Sequence, residues 1–213
     1  MERLAIFDVD YTLTKKETQI EFYKFMLKKE KKHLLHLPKV LLSGILFALK
    51  LIPLKSTKEY FISFIEGIKE EEMREHVKDF YENRLSKLLY KDAIDTIKKL
   101  KGEGFKIYLI SASPEFYLNE LYNIKEVDKI IGTRYLCENG IHKRNMEGEN
   151  CKGEEKVKRL MEELNKENIE VDFENSYMFS DSLSDLPLFN LVGKPYLINY
   201  KKNHDKIQIL NWK

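Results

Sequence analysis

The chain has 213 residues, of which 43% are hydrophobic and 34% charged, and its 37 basic and 35 acidic residues leave a net charge of +2. This length and balance fit one sizeable folded domain, or one domain with a smaller insert, and exclude an intrinsically disordered chain. Binding of nucleic acid through bulk electrostatics requires a strong basic excess, so we expect no nucleic-acid partner. Two cysteines and five scattered histidines exclude a disulfide framework and a zinc motif.

The first predicted element is a short apolar strand, Leu4 to Phe7. It is followed by consecutive amphipathic helices from Glu17 to Lys91, with no convincing strand. From Asp92 onward strands and helices alternate, and "KIIGTRYL" and "IHKRNM" around the turn Glu138-Asn139-Gly140 predict a hairpin. The alternation predicts an α/β fold with a doubly wound parallel sheet. The long helical stretch after the first strand predicts an inserted all-helical cap.

The helical stretch contains an uncharged apolar run, Val40 to Leu49, between Lys39 and Lys50. Ten helical residues cover about 15 Å, roughly half of a bilayer core, so we predict that the run does not span a membrane. We interpret it as a buried or partner-packed helix, and the alternative is an interfacial or substrate-facing helix. The N-terminus lacks the pattern of a signal peptide, which favours a cytoplasmic location.

Polar side chains follow three predicted strands at the points where the strands end. In chain order they are Asp8, Asp10 and Thr12, then Ser111, Ala112 and Ser113, and then Asp181, Ser182 and Asp185. Two lysines, Lys152 and Lys156, begin the long helix before the last of these strands. Ligands of an open parallel sheet bind beyond the carboxyl ends of its strands, so we predict that these groups form one site.

Carboxylates gathered at one edge raise one another's pKa unless a cation neutralises them, and Mg²⁺ prefers such oxygen ligands. Hydroxyl groups and a lysine suit the oxygens of a bound anion, so the set is typical of a phosphoryl-transfer site. Asp8 directly ends its strand and is the predicted nucleophile, which would form an aspartyl-phosphate. Asp10 is the predicted general acid and base.

Four segments carry a family resemblance. "DVDYT", "LISAS", "CKGEEKVKRL" and "FSDSLSDLPLF" resemble, in this order, the four motifs of the haloacid dehalogenase superfamily. Together with the helical insert after the first motif, they are most similar to subfamily IB, the phosphoserine phosphatase-like branch. The resemblance implies a Rossmann-like core of residues 1–14 and 88–213, and a helical cap of residues 15–87 that closes over substrate.

The resemblance also implies a role for each matching residue. Mg²⁺ would be bound by Asp8, by the backbone carbonyl of Asp10 and by Asp181, with Asp185 alongside. Phosphate would be bound by Thr12, Ser111, Ala112 and a lysine, for which we prefer Lys156 over the alternate Lys152. Taken singly, Asp185 could also be a helix N-cap and each lysine a surface charge. Two positions depart from the family pattern, because Tyr11 and Ser180 stand where glycine is common.

The substrate is predicted only as a small phosphomonoester. Glu17 lies where phosphoserine phosphatases place a glutamate that meets the substrate amine, although a glutamate that opens a helix also interacts with the helix dipole. No arginine occurs between Arg3 and Arg74, so the cap lacks the guanidinium that clamps a carboxylate. The apolar run favours a less acidic, partly lipophilic substrate, and Tyr11 is a second candidate contact.

Other functions remain open from the sequence. The alternatives within this reading are phosphoserine phosphatase proper and a protein that senses a phosphorylated ligand without turnover. A dehalogenase has no need of Asp10 as an acid, because halide leaves unprotonated, and a phosphomutase must shield its aspartyl-phosphate from water. The sequence does not specify an oligomeric state.

Overall fold

The computed structural model describes residues 1–213 as eight strands and eight α-helices. The strands are β1 (Leu4–Phe7), β2 (Lys106–Pro114), β3 (Val127–Thr133), β4 (Tyr135–Glu138), β5 (Ile141–Met146), β6 (Tyr177–Ser180), β7 (Lys194–Ile198) and β8 (Gln208–Leu210). The helices are α1 (Thr18–Lys29), α2 (Leu37–Ala48), α3 (Leu54–Phe61), α4 (Glu70–Asn83), α5 (Lys91–Gly102), α6 (Glu115–Leu118), α7 (Glu154–Lys166) and α8 (Leu186–Leu191). Short 3₁₀ turns connect several of them.

Six strands form one parallel sheet in the order β3-β2-β1-β6-β7-β8. The four apolar residues of β1 are fully buried at the centre of this sheet, because helices cover both of its faces. From β1 the chain builds one half of the sheet through β2 and β3, and then returns beside β1 to build the other half. The predicted doubly wound α/β fold is therefore confirmed, and the strand order reverses next to β1.

The helical segment between β1 and β2 packs directly on the sheet domain. Phe22 of α1 lies 5.1 Å from Phe80 of α4 and 5.2 Å from Tyr117 of α6, measured between ring centroids. These rings belong to one hydrophobic cluster that continues to Phe7 of β1 and to the inner side of the sheet. The segment is helical, as predicted, and the domain limits at residues 14 and 88 stay a prediction.

The predicted hairpin is correct at its turn and wrong at its first strand. Asn139 and Gly140 both have positive φ, 51° and 72°, as a tight hairpin turn requires. The residues predicted as one strand, 129–136, are divided between β3, which joins the parallel sheet, and β4, which pairs only with β5. The hairpin attaches to the helical segment, where Gly67 N–H donates to the His142 carbonyl (3.0 Å).

No helix combines the length and the apolar character that crossing a bilayer would demand.

Candidate active site

The carboxyl ends of β1, β2 and β6 and the first turn of α7 surround a cavity of about 200 Å³. Its lining residues are Asp8, Asp10, Tyr11, Leu54, Lys58, Ala112, Lys152, Lys156, Asp181, Ser182, Ser184 and Asp185. The cavity lies at the point where the strand order reverses, which is where this type of sheet binds ligands. Three sequence-predicted residues, Thr12, Ser111 and Glu17, lie outside its lining.

A buried lysine pairs with two carboxylates at the bottom of the cavity. Lys156 Nζ lies 2.7 Å from Asp8 Oδ1 and 2.7 Å from Asp185 Oδ2, and all three residues are buried. Burial raises the pKa of Asp8 to about 8, which Lys156 opposes and Asp185 and Asp10 reinforce. Burial by itself would lower the pKa of Lys156, but the two carboxylates raise it above its usual value. Lys152 is exposed and has no such partner, so the geometry favours Lys156 for the site lysine.

Asp10 is held by donors from two elements, α1 and β2. Its Oδ1 accepts from Thr18 N–H (2.6 Å) and Thr18 Oγ1 (2.7 Å), and its Oδ2 accepts from Ser113 Oγ (2.6 Å). A backbone N–H can only donate, whereas a serine hydroxyl can also accept. A proton on Oδ2 is therefore compatible with this arrangement, because Ser113 can rotate its hydroxyl to accept it. The carboxyl group is fixed in orientation at the cavity wall.

Thr12 and Ser111 are buried, and their hydroxyl groups lie beside the carboxylates of Asp8 and Asp10. Thr12 Oγ1 accepts from Asp181 N–H (2.8 Å) and lies 3.5 Å from Asp8 Oδ2, so it ties the ends of β1 and β6 together. Ser111 Oγ accepts from Ser113 N–H (3.0 Å) and lies 3.4 Å from Asp10 Oδ2. In this arrangement both hydroxyls contact carboxylates that are predicted to be catalytic, and Ala112 is the residue of the second motif that lines the cavity.

Ser180, one of the two departures from the family pattern, has a defined contact. Its Oγ donates to Asp185 Oδ2 (2.8 Å), the same oxygen that receives Lys156. Asp185 precedes α8 as its N-cap residue, but its side chain makes no capping hydrogen bond. The carboxylate of Asp185 therefore contacts site residues, Lys156 and Ser180, rather than the N-terminus of α8.

The oxygen donors of the cavity fit a divalent cation. Burial raises the pKa of Asp181 to about 6, with additional repulsion from Asp185 and Asp10. Asp185 Oδ1 is buried and has no hydrogen-bond partner. Hard carboxylate oxygens in excess of the single buried cation, Lys156, are the donor set that Mg²⁺ requires. The residues present thus match the predicted metal ligands in chemistry.

A separate group of possible metal ligands lies on the helical segment. Glu30, at the end of α1, and Glu72 and His76 of α4 bring one ligand atom each within 4.8 Å of the others. This group shares no residue with the strand-edge cavity. Acidic residues near a surface commonly gather without a metal ion, so we assign it no role.

Lys58 of α3 is a site residue that the sequence did not indicate. Its Nζ donates to the Ala112 carbonyl (2.8 Å) and to Asn150 Oδ1 (3.0 Å), so a helix of the insert contacts the end of β2. Burial lowers the pKa of Lys58, and Asp10 and Glu17 oppose that shift. Nothing distinguishes Lys58 from the other lysines of the segment in the sequence. Only the packing of α3 over the cavity identifies it.

The two proposed substrate contacts have different positions. Tyr11 lines the cavity, is 48% exposed and has a φ of 57°, a left-handed conformation that glycine adopts more easily. Glu17 is the N-cap residue of α1, and its Oε2 accepts from Ile20 N–H (2.6 Å). Burial raises the pKa of Glu17 to about 7, with repulsion from Asp10. Its carboxylate is thus used within its own helix.

Comparison with known proteins agrees with this geometry. Residues 5–190 match the family model of the haloacid dehalogenase-like hydrolases. The chain belongs to this hydrolase family. Among curated relatives, this chain is 29% identical over 100 residues to protein CicA of Caulobacter vibrioides. That match covers 46% of the chain and 45% of CicA, which is less than half the length of either protein.

Solved structures extend the likeness over nearly the whole chain. A protein of unknown function from Bordetella pertussis Tohama I superimposes with a TM-score of 0.83 at 20% identity, covering 94% of this chain and 92% of that one. A substrate-bound phosphoserine phosphatase superimposes with a TM-score of 0.64 at 19% identity, covering 94% and 88%. At identities this low, the superpositions establish a shared fold and nothing more. Because they cover 94% of the chain, the shared fold includes the helical segment inserted after β1.

Proposed function

We propose that this hydrolase is a Mg²⁺-dependent phosphomonoesterase that acts on a small phosphorylated metabolite through an aspartyl-phosphate on Asp8. The observation that supports it most directly is the buried Asp8 at the end of β1, paired with Lys156 at 2.7 Å and facing a cavity that also contains Asp10 and Asp181. A carboxylate nucleophile, a fixed cation and an acid–base group within one small cavity are the requirements of phosphoryl transfer to protein.

The first step transfers the phosphoryl group to Asp8. Lys156 occupies Oδ1 of Asp8, which leaves Oδ2 to attack phosphorus while the ester P–O bond breaks. Asp10 gives its proton to the departing alkoxide, so the alcohol leaves neutral. The positive charge of Lys156 stabilises the charge that spreads over the transferring group. A bound Mg²⁺, held by Asp8, Asp181 and the Asp10 carbonyl, would supply further charge neutralisation.

The second step returns Asp8 to its starting state. Asp10, now ionised, takes a proton from a water molecule that attacks the aspartyl-phosphate, and inorganic phosphate departs. Hydrogen bonds from Thr18 and Ser113 keep the Asp10 carboxyl group in one orientation through both proton transfers. The same group therefore serves first as an acid and then as a base.

The residues above the cavity favour a small substrate without an essential carboxylate. The cavity volume of about 200 Å³ leaves room for little beyond a phosphoryl group and a short leaving group. Lys58 offers a single point charge, which does not reproduce the fork of a guanidinium. Glu17 already accepts a hydrogen bond from its own helix. Phosphoserine is therefore one test substrate rather than the preferred one.

The proposal is tested by hydrolysis of p-nitrophenyl phosphate and a panel of phosphorylated metabolites, including phosphoserine, with and without Mg²⁺. We expect Mg²⁺-dependent turnover that Asp8→Asn abolishes, together with acid-stable, base-labile phosphate on the wild-type protein only. Asp95→Asn is the matched control, since Asp95 is an exposed aspartate of α5. Turnover that survives Asp8→Asn would refute the nucleophile assignment. Binding of inorganic phosphate without turnover of any substrate would instead support a ligand sensor.

A further inference from the structure

Helix α2 is apolar on the side that faces solvent. Its exposed apolar side chains are Pro38, Leu41, Leu42, Ile45, Phe47 and Ala48, and Leu49, just beyond its last residue, is exposed as well. Leu41 is 63% exposed, Ile45 58% and Leu49 63%, whereas the only buried residue of the helix is Ser43. An amphipathic helix of a globular protein normally turns its apolar stripe towards the core. In α2, by contrast, most of the apolar side chains lie in solvent, and Leu37, Val40 and Leu46 are only half-buried.

The apolar surface continues on both sides of α2. Leu34 and Leu35, in the 3₁₀ turn before it, are 48% and 79% exposed, and Leu51 after it is 67% exposed. We call the exposed apolar residues between 34 and 51 the α2 face. A contiguous apolar surface of this kind on a soluble chain marks a contact site for another molecule. Burial of this helix within the chain, one half of the predicted alternative of a buried or partner-packed helix, is not observed, because α2 lies on the outside of the segment.

The charge around the α2 face has one sign. Residues 31–58 contain six lysines and no acidic residue, although acidic residues are nearly as numerous as basic ones in the whole chain. Lys32 pairs with Glu30, and Lys55 with Glu149. Lys31, Lys39 and Lys50 are exposed and make no ion pair; Lys39 lies in the first turn of α2 and Lys50 just after its last residue. The α2 face is thus bordered by free positive charge.

We propose that the α2 face docks on an anionic membrane surface, with α2 lying in the plane of the interface. Leucine-rich apolar residues bordered by lysines are the composition of interfacial helices, and anionic headgroups complement the free lysines. Protein interfaces are instead enriched in aromatic residues and arginine and depleted in lysine. A second copy of the chain on the same face would bring like charges together. Docking of this kind does not require a helix that crosses the membrane, and no helix of the chain is long and apolar enough to do so.

The position of the α2 face relates docking to the cavity. Helix α3 follows α2 after a short turn, and its residues Leu54 and Lys58 line the cavity. A membrane in contact with α2 would therefore lie beside the wall that the inserted segment contributes to the site. The docking itself is independent of the proposed hydrolysis and is measured without substrate.

Vesicle flotation tests the proposal with the full-length chain. We expect binding to vesicles of equimolar phosphatidylcholine and phosphatidylglycerol, weaker binding to phosphatidylcholine alone, and loss of binding as salt is raised. Leu41→Gln with Ile45→Gln, and separately Lys39→Glu with Lys50→Glu, should each lower the partition coefficient by at least about tenfold. All four residues are exposed, so thermal melts should show unchanged folding.

Matched controls use exposed residues elsewhere on the surface. Met161→Gln on α7 controls for lost apolar exposure, and Lys87→Glu with Lys98→Glu controls for the change of net charge. Both control proteins should bind vesicles as the wild type does. Absence of vesicle binding, or equal effects of the control substitutions, would overturn the proposal. A wild-type dimer in sedimentation that Leu41→Gln with Ile45→Gln converts to monomer would also overturn it in favour of a second copy.

Discussion

Replacing Lys156 with methionine removes the only cation in the buried cluster at the end of β1. Asp8 and Asp185 would then lie in the interior without the amine that bridges them at 2.7 Å on each side. Breaking a buried ion pair by removing one partner costs about 3–5 kcal/mol, because an uncompensated charge stays buried. We expect the free energy of unfolding of Lys156→Met to fall by about this amount in metal-free buffer of about pH 8.

The same substitution has a pH dependence of known sign. Burial already raises the pKa of Asp8 from an unfolded value of 3.8 to about 8, and loss of Lys156 raises it further. A carboxyl group with a raised folded-state pKa stabilises the fold at low pH and loses that contribution as pH rises through the folded value. The deficit of Lys156→Met should therefore be smaller at about pH 5 than at about pH 8, by about 0.4 kcal/mol, because a group with a pKa of about 8 is only half ionised at pH 8.

Urea unfolding at the two pH values, in the presence of a chelator, measures both effects. Lys152→Met is the matched control, since Lys152 is exposed just before the same helix and its replacement should leave the free energy of unfolding nearly unchanged. In the activity assay Lys156→Met should lower kcat by about 10²–10³-fold. Equal, small deficits for the two variants at both pH values would refute the assignment of Lys156 as the charge that balances Asp8.

Three further changes have distinct readouts. Mg²⁺ should raise the Tm strongly at about pH 8 and little at about pH 5, because protons compete with the metal for the carboxylates. The pKa is about 8 for Asp8 and about 6 for Asp181, so both groups are largely protonated at about pH 5. An equal rise in Tm at the two pH values would contradict this. Lys58→Met should raise KM for p-nitrophenyl phosphate by about tenfold and change kcat little, since Lys58 contacts the cavity wall and not Asp8. Tyr11→Gly should leave the free energy of unfolding within about 1 kcal/mol of the wild type. Glycine removes the strain of the left-handed φ of 57°, but it also increases the conformational entropy of the unfolded chain, and the two effects oppose each other. A large loss of stability in urea unfolding would show that the tyrosine ring is structurally required.

The sequence by itself determined the local chemistry of the strand ends. A buried apolar strand must stop where Asp8 and Asp10 begin, and alternation of strands with helices requires a parallel sheet whose carboxyl ends share one edge. Residue types and chain order were therefore sufficient to predict the α/β fold, the helical insert and the group of Asp8, Asp10, Asp181 and Asp185 near a lysine.

The tertiary structure alone decided which polar groups meet and which surfaces stay exposed. The preference for Lys156 over Lys152 rested on the family resemblance alone, and it is the rotation of α7 against the sheet that directs Lys156 to Asp8. The division of residues 129–136 between two sheets depends on hydrogen bonds to distant strands, which local patterns do not encode. Apolar residues surround nearly the whole of α2, so their spacing does not predict which side packs, because burial is a property of what packs against the helix. The packing placed Ser43 inside and Leu41 and Ile45 in solvent.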